Sequence, residues 1–345
     1  MKYEFVKDNN FEDIFEVSAK YEQWAHVKHQ IFDMVNNYVA IINGLYLPIP
    51  FLVYDGEELI AYVQINYYSN KSIADICKLI VHESQQNKGY GRKILAEMIH
   101  WITNEFKGAT ITSSYNKDNL CAEALFAHCE CSKIVTGDIT NVTLEHRIVS
   151  PIENIYVDKI PYSNIENMVL YLEKYKKLPD LTVGNSDGIH FERISKEKIS
   201  TLIEMEIDES QEDFVMPFVD SIASAYSELY EEEITLAWAI CDGEKTIGLF
   251  EIVYANGDEY PELKGEKVYE LFRVIIDKRF QRSGYGKKAV EVFLDYVKQK
   301  PLGEADNIVV SVVEGNEVAY KLYEKYGFEY FGRDKYNYRA MKRSI

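Results

Sequence analysis

The chain has 345 residues, 47% of them hydrophobic and 27% charged, a length that corresponds to about two domains. This composition excludes a disordered protein, a collagen-like repeat and a miniprotein framed by disulfides. The 38 basic and 56 acidic side chains give a net charge of −18, which disfavours nucleic-acid binding because such a surface repels phosphate backbones; it either attracts cationic small molecules or serves solubility.

Secondary-structure signals occur in a similar order in the two halves of the chain. In the first half, apolar β-branched runs predict strands at residues 50–54, 60–65, 78–81 and 109–114. Helices are predicted after the third and fourth of these strands. In the second half, the corresponding strands are predicted at residues 236–241, 246–254, 272–276 and 307–313. The dipeptides Asp55-Gly56 and Asp242-Gly243 predict a hairpin turn between the first two strands of each set.

One segment of the first half recurs in the second. Residues 75–81 and 86–93 correspond without a gap to residues 270–276 and 281–288, at the offset of 195 that separates Gly89 from Gly284. So long a spacing indicates two whole domains rather than a solenoid repeat. We therefore predict a domain over 1–150, a linker over 151–187 and a second domain over 188–345.

Each copy carries a Gly-x-Gly turn between a strand and a helix. Such a turn exposes backbone N–H groups at the helix N-terminus, where they can bind a phosphate or pyrophosphate, although a tight turn without a ligand is equally compatible. A dinucleotide fingerprint is absent, because Ile94 and Ala289 stand where its third glycine would be. A P-loop is also disfavoured, since Lys287 is followed by Lys288.

The two loops resemble those of a known family. Residues 281–286, Q-R-S-G-Y-G, and residues 86–91, Q-N-K-G-Y-G, resemble the acetyl-CoA loop of the GCN5-related N-acetyltransferases (GNAT). Residues 316–328 are similar to the segment N-x-x-A-x-x-L-Y-x-x-x-G-F of that family. The resemblance implies an α+β fold of two tandem GNAT-like domains, each a mixed, mostly antiparallel central sheet flanked by helices. It also implies an acyltransferase that uses acetyl-CoA.

A narrower resemblance covers about residues 190–345. Residues 211–226 and 269–277 are similar to segments of bacterial polyamine (spermine/spermidine) or diamine N-acetyltransferases, with a departure at Pro217-Phe218. It implies acetylation of a primary amine on a small cationic, polyamine-like acceptor. Two alternatives remain open. One is an aminoglycoside, amino-sugar or protein amine as the acceptor, and the other is a non-catalytic acyl-CoA-binding sensor.

The family resemblance assigns roles to individual residues of the second half. Glu270 is the implied general base, with Glu251 as the alternative, and Tyr323 is the implied proton donor to the leaving thiolate. Glu270 could instead be a solvated acid at a strand end, and Tyr323 a packed aromatic. The implied coenzyme contacts are Val274, Ile276, Gln281, Arg282, Gly284, Tyr285, Gly286, Lys287 and Asn316, of which the last could also cap a helix.

The first half departs from the family pattern at the implied proton donor. Phe126 stands where the tyrosine is expected, and Glu130-Cys131 replaces Gly-Phe, while Asp75 retains a carboxylate. A phenyl ring cannot donate a proton. We therefore expect this half to transfer acetyl groups poorly or not at all. A second coenzyme loop is still possible there, formed by Gln86, Gly89, Gly91 and Arg92.

The remaining signals concern cysteines, compartment and an acidic segment. Five cysteines include one C-x-C pair, Cys129 and Cys131, without a second pair, so neither a metal site nor a disulfide framework is expected. No signal peptide or membrane span is apparent, and we expect a cytoplasmic monomer or homodimer without a membrane partner. The acids between Glu204 and Asp213 either attract a polycation or form the solvent face of a helix.

Overall fold

The computed structural model consists of two compact units, Met1–Lys176 and Lys177–Ile345. It describes residues 1–20, 30–127, 131–134, 141–146, 156–157, 172–173, 175–177, 188–229 and 234–345. The boundary falls within the segment 151–187 predicted as a linker, most of which lies outside the described residues. Among the described helices, none has both the length and the apolar character needed to cross a bilayer.

The first unit is built on an eight-stranded sheet. Its strands are β1 (Lys2–Phe5), β2 (Leu47–Asp55), β3 (Glu58–Tyr68), β4 (Ile73–Val81), β5 (Thr110–Asn116), β6 (Cys131–Ile134), β7 (Asn141–His146) and β8 (Tyr156–Val157). Its described helices are α1 (Gln30–Ile42), α2 (Tyr90–Glu105) and α3 (Leu120–Phe126). The strand order is β6-β7-β5-β4-β3-β2-β1-β8, in which β4 pairs with β5 and β1 with β8 in parallel, and the other pairs are antiparallel.

The second unit is built on a seven-stranded sheet. Its strands are β9 (Ile189–Arg193), β10 (Ile234–Asp242), β11 (Lys245–Asn256), β12 (Lys267–Ile276), β13 (Asn307–Val312), β14 (Glu329–Arg333) and β15 (Arg339–Ser344). Its helices are α4 (Lys196–Ile203), α5 (Phe218–Glu228), α6 (Tyr285–Val297) and α7 (Glu317–Lys325). The order is β14-β15-β13-β12-β11-β10-β9, with β12 and β13 parallel. The predicted mixed, mostly antiparallel α+β architecture is confirmed.

Helices cover both faces of the central strands, which explains why these strands read as continuous apolar runs. In the second unit, β10 is buried from Thr235 to Cys241. The ring of Phe250 on β11 contacts those of Phe191 on β9, 4.4 Å away between centroids, and Phe293 of α6, 5.3 Å away. A strand that is packed on both faces shows no alternation of polar and apolar residues. Such strands were therefore predicted from the length of the apolar run and the turns that flank it.

A β-bulge recurs at one place in both units. On β12 the register with β11 shifts at Phe272, an extra residue without a counterpart opposite it. On β4 the register with β3 shifts in the same way at Cys77. A bulge bends the strand that carries it and increases its twist. Each sheet is therefore bent just after the carboxylate position that the sequence analysis identified.

The bent strand separates from its parallel neighbour. β12 pairs with β13 only over Val268–Glu270, and β4 pairs with β5 only over Ile73–Asp75. Beyond these three pairs the two strands have no ladder between them. The result is a cleft at the carboxyl end of the parallel pair, and the glycine loop leads from this end of β12 or β4 into the following helix.

Candidate active site

The cleft of the first unit is a cavity of about 850 Å³. It is lined by the second half of β4, the glycine loop, the first turn of α2, the end of β5 and helix α3. Cys77, Gly89, Gly91, Asn119 and Phe126 all contribute to this lining. The glycine loop and the position of the missing tyrosine therefore face the same cavity, which is open to solvent.

The residues that line the cavity of the first unit have counterparts in the sequence of the second unit. Asn119 and Phe126 correspond to Asn316 and Tyr323, each pair spanning the same interval of helix. Asn119 Oδ1 accepts a hydrogen bond from the backbone of α3, and Asn316 Oδ1 accepts one from the backbone of α7, both at 3.1 Å. Both asparagines are thus N-caps, and the capping interpretation of Asn316 is confirmed, while its contact with a coenzyme stays a prediction.

The glycine loop of the second unit presents an open helix N-terminus. Gly284 has φ +81° and Arg282 has φ +61°, so the loop turns sharply before α6 begins at Tyr285. Within α6, Lys288 N donates to Gly284 O at 3.2 Å, and the preceding amides of the first turn have no partner within the helix. A Cβ added at Gly286 would meet no atom within 4 Å. These amides are therefore accessible to an anion.

Gln281 ties the loop to the end of β12. Its Nε2 donates to Ile276 O at 2.8 Å and to Gln211 Oε1 at 2.7 Å. Gln86 makes the equivalent bond to Val81 O at 3.0 Å in the first unit. This glutamine is thereby engaged with the protein's own backbone, and its contact with the coenzyme stays a prediction.

Tyr285 ties the start of α6 to a hairpin turn. Its hydroxyl donates to Asp242 Oδ2 at 2.8 Å, and Tyr90 donates to Asp55 Oδ2 at the same distance in the first unit. The aspartates are those that the sequence analysis assigned to turns. Both tyrosines therefore orient the glycine loop, which is a role that the sequence analysis missed.

Backbone amides of β12 face the cleft. Asp277 N donates to Ile247 O at 3.0 Å, on the β11 side of the strand. Because successive amides of a strand point to opposite edges, the amides of Ile276 and Val274 point to the edge from which β13 has separated. They are therefore free of the sheet ladder and positioned as donors to a molecule in the cleft.

Glu270 lies at the last pair of the β12–β13 ladder and is only 7% exposed. The interpretation as a solvated acid at a strand end is therefore wrong. Its carboxylate shares a side-chain hydrogen bond with Tyr260, whose hydroxyl also lies 3.2 Å from Ser311 Oγ. Burial and the charge of Glu270 together raise the pKa of Tyr260. Tyr260 holds this carboxylate, and no sequence motif had identified it.

Glu251 is fully buried on β11, opposite Arg273 of β12. Its Oε2 accepts a hydrogen bond from Arg273 Nη1, whereas Oε1 has no hydrogen-bond partner among the described residues. Burial raises the pKa of Glu251 to about 7; the Arg273 charge opposes this shift and the Glu228 charge adds to it. Arg273 also lies 3.3 Å from Met216 Sδ and was not identified from the sequence.

Tyr323 is 7% exposed, and its ring centroid lies 5.7 Å from that of Phe328. Burial raises the pKa of its phenol, so the hydroxyl keeps its proton at neutral pH. In the first unit, the ring of Phe126 stacks on Tyr115 at 5.4 Å. The geometry is compatible with packing and with proton donation, and the catalytic role stays a prediction.

The acidic segment is a loop that reaches the same cleft. α4 ends at Ile203, so the interpretation of these acids as a helix face is wrong. Gln211 bonds the glycine loop, and the ring of Phe214 lies 3.8 Å from a Cβ added at Gly315, just before α7. Met216 contacts Arg273 of β12. The loop thus lies against the glycine loop, the turn before α7 and strand β12.

Comparisons with known proteins agree with this arrangement. The acetyltransferase (GNAT) family model matches residues 12–130 and 201–328, one match in each unit. Over 104 residues, the chain is 29% identical to the spermine/spermidine N(1)-acetyltransferase of Bacillus subtilis (strain 168), covering 28% of this chain and 67% of that protein.

Solved structures with related folds include two acetyltransferases. The PaiA N-acetyltransferase of Thermoplasma acidophilum in complex with coenzyme A is 20% identical, with 46% of this chain and 99% of that chain covered and a TM-score of 0.33. A mutant of the spermidine N-acetyltransferase SpeG of Vibrio cholerae is 13% identical, with coverages of 42% and 94% and a TM-score of 0.34. Because the family model covers more than half of the sequence, the chain belongs to the acetyltransferase (GNAT) family.

Proposed function

We propose that the second unit transfers an acetyl group from acetyl-CoA to a primary amine of a small cationic, polyamine-like acceptor. The amine attacks directly, with Glu270 as the general base and Tyr323 as the general acid. One observation carries this proposal. The second unit combines a buried carboxylate at the last pair of the β12–β13 ladder, an open glycine loop and a buried tyrosine on α7, whereas the first unit has phenylalanine at the tyrosine position.

The residues of the cleft fit the coenzyme of the family. The open N-terminus of α6 suits a pyrophosphate, with the cations Arg282 and Lys287 beside it. The amides of Val274 and Ile276 suit the polar groups of an extended arm. When bound, acetyl-CoA supplies the thioester that carries the acetyl group.

The chain's own groups then manage charge and protons. An aliphatic ammonium has a pKa of about 10.4, so a base must remove its proton at neutral pH. The carboxylate of Glu270, oriented by Tyr260, is available for that proton. The amide of Val274 can donate a hydrogen bond to a developing oxyanion. The phenol of Tyr323, protonated at neutral pH, can give its proton to a departing thiolate.

Charge on the acceptor side of the cleft supports a cationic substrate. Burial lowers the pKa of Arg273, but the carboxylates of Glu251, Glu228 and Glu270 outweigh it, so the pKa of this guanidinium is raised overall. Glu251 is only partly ionised at neutral pH, but Glu228 and Glu270 add two further carboxylates against this single guanidinium. The exposed acids of the loop at 204–213 add to this negative charge. An acceptor with several ammonium groups is attracted to such a surface, and the similarity to a spermine/spermidine acetyltransferase points the same way.

The test is thiol release from acetyl-CoA with a panel of amines. Spermidine, spermine and short diamines are compared with an aminoglycoside, an amino sugar and a lysine peptide. The proposal expects the highest kcat/KM with a polyamine or diamine. Exclusive turnover of an aminoglycoside, amino sugar or peptide would assign the alternative acceptors. No turnover with any amine, despite coenzyme binding, would favour the non-catalytic sensor.

A second candidate function concerns the first unit. Its cavity of about 850 Å³ runs along the loop formed by Gln86, Gly89, Gly91 and Arg92, but Phe126 supplies no proton. These features support coenzyme binding without efficient transfer. Isothermal titration with coenzyme A tests this: two sites are expected in the wild type, and Gly91→Ala should remove one of them without lowering acetylation. A single site that Gly286→Ala abolishes would contradict it.

A further inference from the structure

A cluster of potential metal ligands lies at the β9–β10 edge of the second unit, formed by His190, Glu192 and Cys241. One ligand atom from each of the three lies within 4.8 Å of the others. Lys198 of α4 completes their surroundings, 2.9 Å from Glu192 Oε2 and 3.6 Å from Cys241 Sγ. Neither the proposed acetyl transfer nor the coenzyme cleft uses any of these side chains.

Strand pairing explains why the three groups converge. His190 on β9 is directly opposite Cys241 on β10, and Glu192 follows His190 on the same face two residues later. Residues directly opposite each other on paired strands, and residues two apart on one strand, have neighbouring side chains on the same face of the sheet. The strand pairing alone therefore brings the three groups together. The cysteine is buried, while the histidine and glutamate are partly exposed, so an ion can enter from solvent.

The histidine has a second contact typical of a metal ligand. Its Nδ1 lies 3.2 Å from Gly188 O, and its Nε2 lies 2.8 Å from Glu192 Oε1. Without a metal, the 2.8 Å contact places a proton between Nε2 and the carboxylate oxygen. When an ion displaces that proton, a proton on Nδ1 donated to the carbonyl leaves the Nε2 lone pair for the ion. A backbone carbonyl that fixes the tautomer of a ligating imidazole is a common outer-shell arrangement.

We propose that His190 Nε2, a carboxylate oxygen of Glu192 and Cys241 Sγ bind one divalent ion of the zinc class, with water at the fourth position. Thiolate, imidazole and carboxylate together suit zinc and disfavour magnesium or calcium. In a tetrahedral site with bonds of about 2.0–2.3 Å, ligand atoms lie about 3.3–3.8 Å apart. Atoms already within 4.8 Å of one another need only small movements to reach these separations.

Lys198 is the cation that occupies this neighbourhood in the absence of a metal. Its ammonium neutralises Glu192 and lies against the sulfur of Cys241. When the ion binds, the Cys241 thiol loses one proton to solvent and the proton between His190 Nε2 and Glu192 Oε1 leaves Nε2. The Lys198 ammonium moves away, and the ion takes over the charge of Glu192. Lys198 therefore competes with the metal, and its removal should strengthen binding.

The experiment titrates untagged, chelator-treated protein with Co²⁺ as the probe and follows the thiolate-to-cobalt charge-transfer absorption; zinc then displaces the cobalt. The wild type should show the band with a stoichiometry of one. Cys241→Ser should abolish it, His190→Ala should weaken cobalt binding by at least about 10²-fold, and Lys198→Met should strengthen it by at least about tenfold.

Controls separate this site from other thiols and from misfolding. Cys77→Ser, Cys121→Ser and the double variant of Cys129 and Cys131 should retain the band. Circular dichroism checks each fold, and His190→Ala tests the site should Cys241→Ser unfold. Absence of the band in the wild type, its persistence in Cys241→Ser, or unchanged affinity in Lys198→Met would overturn the proposal. None of these readouts depends on acetyl transfer.

Discussion

Tyr323 of α7 and Phe126 of α3 occupy equivalent positions, each seven residues after the asparagine that caps its helix. Both caps have the same geometry, so the two helices begin alike and present the same position to the cleft. The two aromatic rings differ by one hydroxyl group. The phenyl ring lines the cavity of the first unit, and by correspondence the phenol borders the cleft of the second.

Removal of that hydroxyl should slow the enzyme without unfolding it. We expect Tyr323→Phe to lower kcat by about 10²-fold, the scale of one acid–base group, with little change in KM. Stopped or continuous assays of thiol release from acetyl-CoA measure this effect. Phe126→Tyr is the matched control, and it should leave the activity of the second unit unchanged. A wild-type kcat in Tyr323→Phe would show that the hydroxyl is not the proton donor and that the ring only packs.

Glu270 and Glu251 can be separated as candidate bases. We expect Glu270→Gln to lower kcat by about 10²–10⁴-fold at neutral pH, because the amide cannot take the ammonium proton. The deficit should shrink as pH rises toward the pKa of the acceptor, where free amine forms unaided. Kinetic pH profiles of Glu270→Gln and Glu251→Gln provide the measurement. A deficit confined to Glu251→Gln would move the base to β11.

Alanine substitutions at the two loop glycines should have different effects on stability and on coenzyme binding. Gly286 has open space around an added Cβ and ordinary helical geometry, so Gly286→Ala should leave the melting temperature unchanged or slightly higher. It should nevertheless weaken coenzyme A binding by at least about tenfold, because the methyl group obstructs the approach to the amides.

Gly284→Ala is the matched comparison. Its φ of +81° strains an alanine by about 1–2 kcal/mol, so this variant should lose stability even though no atom lies within 4 Å of the new methyl group. Calorimetric titration and thermal denaturation give the two quantities. Undiminished coenzyme binding by Gly286→Ala would mean that the ligand lies elsewhere.

Burial of Glu251 predicts a pH dependence of stability. Its pKa is about 7 in the folded unit, against 4.5 ordinarily, so the folded state retains a proton that the unfolded chain releases. The free energy of unfolding should therefore fall as pH rises from about 4.5 to about 7, by on the order of 3 kcal/mol, and then level off. Glu251→Gln should remove this dependence.

Urea unfolding at pH 5 and pH 7.5 tests this expectation. Trp238 of β10 reports on the second unit once Trp24 and Trp101 are replaced by phenylalanine. Glu212→Gln, at an exposed position of the acidic loop, is the control and should behave as wild type. A fall in stability that survives in Glu251→Gln would assign it to other groups. In the first unit, Gln64 already stands at the equivalent position, opposite Lys78.

Local signals predicted much of the fold. Apolar runs gave the central strands, and Gly89 and Gly284 marked the turns because their left-handed φ angles favour residues without a side chain. The repeated segment indicated the two-fold organisation. These features depend on neighbours in sequence, so a single chain reveals them.

Features that depend on strand register were not predictable. Arg273 reaches Glu251, and His190 reaches Cys241, only because particular residues face each other across two strands. Tyr260 reaches Glu270 from a short turn that carries no motif. No spacing rule in one sequence specifies such pairs. A shift of register by one residue would separate the two strand pairs, and the Tyr260 contact depends on how a turn folds back onto the sheet.

The bulges at Cys77 and Phe272 shape the two clefts independently of the side chains that they carry. The kink is made by an additional backbone unit, and it is the same whether a thiol or a phenyl group is attached. If Phe126 disables transfer in the first unit as proposed, a single side-chain exchange would have changed its chemistry while both halves kept the same backbone. The recess of the first unit would then persist as a ready-made pocket, because its shape comes from the backbone and not from the exchanged side chain.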